Sequence, residues 1–404
     1  MEIGKKGQNN AITGSVFSSV NWLSLSFVIA MCIMLAYPMF YLRVNRFIAG
    51  DHTLHLIEAQ KLLNGSILTP TNRSHPFLQF LIVGIKQISH SQIGLNQSLI
   101  LVLTFSQAMI GTIVYFWLGN SKQKYWECWR TSFAISIPII APIIILSLLD
   151  QKFYLGYVGL ANYHNPTIQL LKPIALTCLL LTLYGFDRNK NKLWVYLLSA
   201  LLIIISGLIK PNFILAFIPA LGIICFYKII RRQVLDTKLM IFGFALPSIL
   251  VLLWQLSVTF QNSEYGFHIV FAPFSVVSLH SDFLFPKFVL SILFIIQAAV
   301  IFRKQLVTDI TLLLGIITLV MGLLQGYLLA EAGDEILISG NFMWSGQIAL
   351  FLMFVILGRK SLRYFFAEKQ GYRWQVTLGL SLYLAHLAGG IVYYIRCLTV
   401  DSFI

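Results

Sequence analysis

Apolar stretches of about 20 residues recur along the whole chain, and they constrain the fold more than any other feature. A helix of that length crosses the hydrocarbon core of a bilayer, because each residue adds about 1.5 Å and the core is about 30 Å thick. We therefore predict eleven transmembrane helices. They cover residues 21–42, 97–118, 132–149, 167–185, 193–209, 212–230, 239–260, 288–302, 310–330, 342–357 and 375–395.

The composition agrees with a membrane protein, since 58% of the 404 residues are hydrophobic and only 11% are charged. Soluble proteins carry about a quarter charged residues. We predict an all-α polytopic fold in which residues 1–404 form one transmembrane domain without a separate soluble domain. A short apolar run at 76–88 contains Lys86 and is too short to span. The first outer loop, 43–96, should therefore carry an amphipathic helix and an interfacial or re-entrant helix.

Basic residues predict the orientation, because Lys and Arg accumulate on the cytoplasmic side of membrane proteins. With the N-terminus inside and the C-terminus outside, 19 of the 29 basic residues fall on the cytoplasmic side. The net charge of +14 then reflects topology and contact with membrane lipids, and no nucleic acid partner is expected. A bacterial plasma membrane is the predicted location. The 19 residues are Lys5, Lys6, Lys122, Lys124, Arg130, Arg188, Lys190, Lys192, Lys228, Arg231, Arg232, Lys238, Arg303, Lys304, Arg359, Lys360, Arg363, Lys369 and Arg373.

The first outer loop contains the sharpest polar pattern, at residues 50–65. Asp51 is predicted to be the N-cap of a helix that ends at Asn64 and Gly65. Asp51, His55 and Glu58 then share one helix face within about 60°. Such a trio could accept a proton from a nucleophile or hold a divalent cation such as Mg or Mn, and the pattern does not separate these roles. Capping alone would also explain Asp51.

Two further outer segments could complete a site. Residues 162–167 contain His164, which could bind a phosphate or a metal, although the segment also fits a turn before a helix that begins with proline. Three acids, Glu331, Asp334 and Glu335, precede an aromatic segment at 340–344. They could bind sugar hydroxyls or a cation, or simply form a solvated loop. The loops at 50–74, 151–167, 261–287 and 331–341 are predicted to converge on one outer pocket with an apolar side open to lipid.

Two motifs give the chain a family resemblance. After the first predicted span come Gly50 and Asp51, the helix segment 59–65, Thr69 and Pro70, and His-Pro-Phe-Leu at 75–78. The second motif is Ser-Gly-Leu-Ile-Lys-Pro-Asn at 206–212, followed by Leu215 and Pro219. In order and placement these motifs resemble the GT-C superfamily of integral-membrane glycosyltransferases.

The resemblance implies a hexosyl or pentosyl transferase of the cell envelope that takes part in polysaccharide biosynthesis. Its donor would be a polyprenyl-phosphate-linked sugar and its acceptor a lipid-linked saccharide or a glycan on the outer face. Asp51 would be the catalytic base or a carboxylate that orients a metal. The chain has Asp51 and His52 where many members have two acids, which argues against a metal held by two carboxylates. Supporting residues would be His55, Glu58, His75, His164 and Glu335, and the phosphate-binding residues would be Arg73, Lys172 and Lys210.

Two other functions fit an outer polar site. A transporter or flippase for a lipid-linked saccharide should have charged or broken helices at the membrane midplane, and apart from Pro247 these are scarce in the sequence. A membrane acyltransferase would use a histidine as its base, but its first loop is not expected to begin with an aspartate. For Lys210, snorkelling from a helix end is as good an explanation as phosphate binding.

Overall fold

The structure is a computed structural model. It describes residues 20–46, 50–161, 163–186, 188, 190–261, 268–332, 340–366 and 373–400. The helices of the first half are α1 (Trp22–Asn45), α2 (Asp51–Leu63), α3 (Pro70–Ser74), α4 (Phe77–Ile88), α5 (Leu95–Leu118), α6 (Trp126–Ser136), α7 (Ser147–Asp150) and α8 (Pro166–Phe186). Those of the second half are α9 (Leu193–Ile209), α10 (Asn212–Ile230), α11 (Leu246–Leu256), α12 (Ser275–Ser278), α13 (Leu284–Ile301), α14 (Ile310–Leu328), α15 (Met343–Phe366) and α16 (Arg373–Thr399).

Eight helices in the described part of the chain are long and apolar enough to cross a membrane. They are α1, α5, α8, α10, α13, α14, α16 and the helix built on α11, which π-helical turns extend to Leu239–Thr259. The all-α polytopic membrane fold is therefore confirmed, but the count of eleven is not. The other three predicted spans correspond to α9, which has 17 residues, to α15, which ends in a basic segment, and to residues 132–149.

The prediction of one continuous helix at 132–149 was wrong, because α6 ends at Ser136 and irregular backbone follows. Pro138 and Pro142 lie in this segment, and proline removes a backbone donor and breaks a helix. α16 supplies a partner in return, since His386 Nδ1 donates to the Ala141 carbonyl oxygen at 2.9 Å. A Cβ on Gly390 would lie 2.1 Å from the Ile139 carbonyl oxygen. The segment thus packs directly on α16, and irregular backbone at membrane depth is tolerated when protein buries it.

α15 forms the centre of the bundle. All its residues from Ser345 to Gly358 are buried, and it packs against α8, α10, α13, α14 and α16. Its closest neighbour is α14, where a Cβ on Gly322 would lie 2.5 Å from the Ser345 carbonyl oxygen. Small residues at such crossings let two helix backbones approach closely. A stretch that is apolar on every side is therefore buried in protein here rather than exposed to lipid.

Basic side chains gather at one end of the bundle. Arg359 Nε donates to the Trp117 carbonyl oxygen at 2.9 Å, and Arg363 Nη2 donates to that of Leu118 at 2.6 Å. Lys228 Nζ donates to the Phe186 carbonyl oxygen at 3.0 Å. These carbonyls end α5 and α8, where the helix dipole favours cations. These contacts join described residues of segments predicted to be cytoplasmic, while the face of the membrane to which that end belongs stays a prediction.

The opposite end carries the connections that were predicted to be outside. Residues 43–96 contain α2, α3 and α4, so the first of these connections is helical as predicted. Two later connections are joined by a short antiparallel sheet, in which β1 (His268–Phe271) pairs with β2 (Leu329–Ala332). Residues 151–165 lie between α7 and α8. These segments surround the polar cluster described next.

Candidate functional site

Asp51 is the first residue of α2, and its carboxylate points away from its own helix. The prediction that Asp51 caps the helix was wrong, because Gly50 occupies the N-cap position with φ +142°, a conformation that favours glycine. Asp51 Oδ2 instead accepts a hydrogen bond of 2.8 Å from Asn165 Nδ2. Asn165 Oδ1 accepts from Ile168 N and Thr167 Oγ1 at the start of α8. Since those bonds fix the amide, its NH₂ group faces Asp51.

Lys210 brings a cation to the same place from the junction of α9 and α10. The side chain is buried, and its Nζ lies 5.3 Å from the centre of the Trp344 ring. Burial lowers the pKa of Lys210 to about 8, while Asp51 and Glu331 act in the opposite direction. Burial also raises the pKa of Asp51, against the influence of Lys210 and Asn165. Each group therefore reaches its charged form less readily than it would in water.

Asp51 and Lys210 do not form an ion pair with each other. None of the ion pairs among the described residues includes either of them. The Lys210 ammonium makes no hydrogen bond within the part of the chain that the structure describes, whereas its backbone N–H donates to the Ser206 carbonyl oxygen at 2.9 Å.

Four histidines surround these two groups, namely His52, His55, His75 and His164. Burial, which is the largest cause, and neighbouring positive groups lower the pKa of each to about 3, so all four are neutral at pH 7. The positive charge of Lys210 lowers the pKa of His55, His75 and His164, and that of Arg43 lowers the pKa of His52 and His164. The four histidines therefore lie in one cluster with Lys210 and Arg43. Neutral imidazoles can donate hydrogen bonds without adding charge.

Each histidine is held differently. His55 Nδ1 lies 2.9 Å from Gln79 Nε2, and His75 Nδ1 lies 2.9 Å from Ser74 Oγ. The His164 ring contacts Tyr154 and Trp344 at centroid distances of 4.6 and 5.5 Å. His52 Nε2 is buried and has no hydrogen-bond partner among the described residues. His52 was not among the predicted site residues, although its position directly after Asp51 could have marked it.

Glu58 does not join this cluster. Its Oε1 pairs with Lys61 Nζ at 2.7 Å, and its Oε2 accepts from Thr69 N at 2.9 Å. The i, i+7 spacing puts Asp51 and Glu58 on one face but separates them by about 10 Å along the axis. No group of three metal-binding side chains occurs within the described residues, so Asp51, His55 and Glu58 do not form the predicted cation site there. Glu58 instead fixes the loop that follows α2.

The remaining predicted residues have different positions. Lys172 Nζ donates to the Leu160 carbonyl oxygen at 2.6 Å inside the bundle, so a structural contact occupies it. Arg73 lies in the last turn of α3, and its Nε has no hydrogen-bond partner among the described residues. Glu335 lies outside the described residues. Glu331 is the acid that the structure places here, since its Oε2 accepts from Asn341 Nδ2 at 2.7 Å and it acts on Lys210.

Asn212 connects this acid to the second sequence motif. Its Nδ2 donates to the Asn341 carbonyl oxygen at 2.7 Å and to Ser345 Oγ at 3.0 Å. The 206–212 segment, residues 163–166, the start of α2 and the start of α15 therefore meet at one point. A partly desolvated carboxylate, a partly desolvated ammonium and hydrogen-bonding side chains together can accept a proton and hold an anion.

Comparison of the sequence with protein-family models and with curated proteins gave no match.

Proposed function

We propose that this protein is a membrane glycosyltransferase that moves a sugar from a polyprenyl-phosphate carrier to a lipid-linked or glycan acceptor. The observation that carries the proposal is that Asp51 and the buried side chain of Lys210 act on each other electrostatically without forming an ion pair, at the end of the bundle opposite the basic cluster. Transfer of a sugar to a hydroxyl needs a base for the acceptor and positive charge for the departing phosphate. These two groups supply one each.

Asp51 is the proposed base. The acceptor hydroxyl loses its proton as it attacks the sugar, and a carboxylate with a raised pKa is a better proton acceptor than one in water. Asn165 keeps the carboxylate oriented through its hydrogen bond to Oδ2. Because the second oxygen is not used in that bond, it is the atom that we assign to the acceptor proton.

Lys210 is the proposed partner of the leaving phosphate. The phosphate gains charge as the bond to the sugar breaks, and a preorganised cation in a poorly hydrated site stabilises that charge strongly. His55, His75 and His164, the three histidines on which Lys210 acts, lie near it as neutral donors. The prenyl chain would stay in the bilayer, since moving it into water is unfavourable.

The proposal also includes the number of crossings and the orientation in the membrane. Adding α9, α15 and the broken segment 132–149 to the eight apolar helices gives eleven crossings, in a GT-C-like arrangement with the N-terminus in the cytoplasm of a bacterial cell. The broken segment begins near Arg130, which bonds Asn120 at the basic end. It leads to Asp150, which pairs with Lys287 at the start of α13. These contacts support its role as one crossing.

A transporter for a lipid-linked saccharide is the competing function, and the break at residues 137–146 is a feature that such proteins use. In transporters the break exposes charged groups or backbone to the substrate. Here the segment holds no charged side chain and packs on α16. The break is therefore better explained by packing than by transport.

The test is the Asp51→Asn variant, purified and reconstituted with a panel of radiolabelled polyprenyl-phosphate sugars. Asparagine keeps an oxygen that can accept from Asn165 but cannot act as a base, so transfer should fall by about 10²–10⁴-fold at unchanged protein stability. Asp309→Asn is the matched control. Asp309 caps α14 at the opposite end and pairs with Lys360. Asparagine is an equally good cap, and a partly exposed ion pair contributes little, so transfer should be retained.

Full transfer in Asp51→Asn would reject Asp51 as the base. If the unaltered protein transferred no sugar but moved lipid-linked saccharides across proteoliposomes, the transporter reading would replace this proposal.

A further inference from the structure

A groove of about 650 Å³ lies between α1 and α5, on the outward face of both helices. Tyr37, Tyr41 and Asn45 form its α1 wall, and Asn96 and Gln97 begin the α5 wall. The groove is far larger than the space that a single water needs and is within the range of small-molecule sites. Nothing in the proposed transfer chemistry uses it.

The side chains on the α1 wall are separate from the Asp51 cluster. Tyr37, Tyr41 and Asn45 recur every four residues and therefore share one helix face. Arg43 is buried on the other side of the same helix, where its guanidinium donates to the Cys397 carbonyl oxygen at 2.6 Å. The groove and the cluster consequently occupy opposite faces of α1.

Polarity changes with depth along the groove. At its outer end Asn96 Nδ2 donates to Asn45 Oδ1 at 3.1 Å, and Gln97 Oε1 accepts from Gly94 N at 3.1 Å. Tyr37 lies two turns deeper than Asn45, a distance of about 12 Å along the helix. On α5, Ile100 and Leu101 lie about one turn deeper than Asn96 and Gln97, at the level of Tyr41. The ligand that fits this gradient has a polar head at the bilayer surface and an apolar chain below it.

The α1 wall is aromatic, and the lining of the groove is uncharged. Tyr37 and Tyr41 stack with ring centroids 6.0 Å apart, and about half of each side chain is exposed. The residues lining the groove include amides and tyrosine hydroxyls but no charged side chain. Phosphate headgroups are normally bound by Arg or Lys. Amides and hydroxyls bind sugar hydroxyls, which both donate and accept, while tyrosine rings cover the apolar C–H faces of a sugar.

We propose that this groove binds a membrane lipid with an uncharged saccharide headgroup, with the sugar beside Tyr41, Asn45 and Asn96 and the acyl chains along Ile100 and Leu101. Tyrosines at a membrane surface are common as interfacial anchors. An anchor alone, however, needs neither a groove nor amide groups opposite the rings. The proposal does not depend on the transfer reaction, because it concerns a separate face of the protein.

The experiment uses photocrosslinking of the full chain in lipid nanodiscs. The discs contain equal amounts of glucosyl-diacylglycerol, phosphatidylglycerol and phosphatidylcholine with the same acyl chains. Photoreactive benzoylphenylalanine replaces Leu101 in the groove or, as the matched control, Leu253 on the exposed face of α11. Mass spectrometry then identifies the lipid in each adduct.

We expect glucosyl-diacylglycerol to dominate the adducts at position 101, whereas position 253 should report the composition of the bilayer. Tyr41→Ala and Asn96→Leu should each reduce the enrichment about three- to tenfold, the size expected when one aromatic or hydrogen-bond contact is lost. Tyr41→Phe keeps the ring and should retain most of it. Equal adducts at the two positions, dominance of phosphatidylglycerol, or enrichment that survives both Tyr41→Ala and Asn96→Leu would overturn the proposal.

Discussion

At the scale of single residues, the cluster depends on a balance between burial and opposite charge. Burial disfavours the ionised forms of both Asp51 and Lys210, and each charge partly restores the other across a gap that no direct ion pair closes. A substrate that carries a phosphate would supply the charge that Lys210 lacks. Binding and proton transfer should therefore both depend on pH.

The expected pH profile of kcat/KM is bell-shaped. Asp51 must be ionised to accept a proton and its pKa is raised, so activity should fall with decreasing pH at a higher pH than for an ordinary carboxylate, whose pKa is about 3.9. Lys210 must be protonated to hold phosphate. Its pKa is about 8, so activity should fall as the pH rises through about 8.

Lys210→Arg distinguishes this profile from a general loss of the fold. A guanidinium keeps its charge at pH values where an ammonium in this site would lose it, so the alkaline limb should move upward. Transfer rates of purified protein between about pH 5 and 10 provide the measurement. Lys360→Arg at the opposite end serves as the control, with an unchanged profile. An alkaline limb that stays in place in Lys210→Arg would show that another group causes it.

The sequence predicted several members of this cluster but not their contacts. Asp51, His55, His75, His164 and Lys210 were identified from motifs and from their places outside the apolar runs. Asn165 as the partner of Asp51 could not be predicted, because the two are 114 residues apart and only the packing of α2 against the start of α8 joins them. Glu58 was expected beside Asp51 because helical periodicity puts both on one face. Periodicity does not predict that the Glu58 side chain reaches the loop after α2, where it accepts from Thr69 N.

At the scale of elements, the broken segment 137–146 shows what apolar composition conceals. Its residues are as hydrophobic as those of a spanning helix, and hydropathy alone predicts a helix. Pro138 and Pro142 indicate a break, but the groups that stabilise it lie on α13 and α16. Ile143 N donates to the Leu290 carbonyl oxygen at 3.3 Å, and His386 donates to that of Ala141. Those long-range partners cannot be identified from local sequence.

Gly390→Ala tests whether this packing stabilises the fold. The added Cβ would meet the Ile139 carbonyl oxygen at 2.1 Å, so the backbone must shift, and such overpacking costs about 1–3 kcal/mol. Gly222→Ala is the matched control, since a Cβ there meets nothing within 4 Å in an exposed position of α10. That change should raise helix stability by about 0.5–1 kcal/mol. In thermal unfolding in detergent, Gly390→Ala should lower the unfolding midpoint of the protein and Gly222→Ala should raise it. Equal midpoints for the two variants would argue against close packing at Gly390.

At the scale of the whole molecule, polar groups are sorted between two ends. Arg359, Arg363 and Lys228 bond helix C-termini at one end, while Asp51, Lys210 and the four histidines form a cluster at the other. Composition alone predicted the membrane class correctly. The number of crossings was harder, because a span buried in protein, such as α15, and one broken by proline do not have the properties of an isolated apolar helix. Orientation and crossing number can be tested together.

Reporter fusions provide that test, because each crossing reverses the side of the membrane. Between Lys192 and Glu335 lie α9, α10, α11, α13 and α14, so the two positions should be on opposite faces if α9 crosses despite its 17 residues. Without α9 the number of crossings is even and both positions would be on the same face.

Alkaline phosphatase is active only outside and green fluorescent protein only in the cytoplasm. We expect fluorescence after Lys192 and phosphatase activity after Glu335, in line with the basic residues inside. A fusion after Arg232 tests α9 independently, since Arg232 lies on the side of Lys192 if α9 and α10 both cross and on the opposite side if only α10 crosses. The same compartment for Lys192 and Glu335 would remove α9 from the crossings, and phosphatase activity after Lys192 would reverse the orientation and place Asp51 in the cytoplasm.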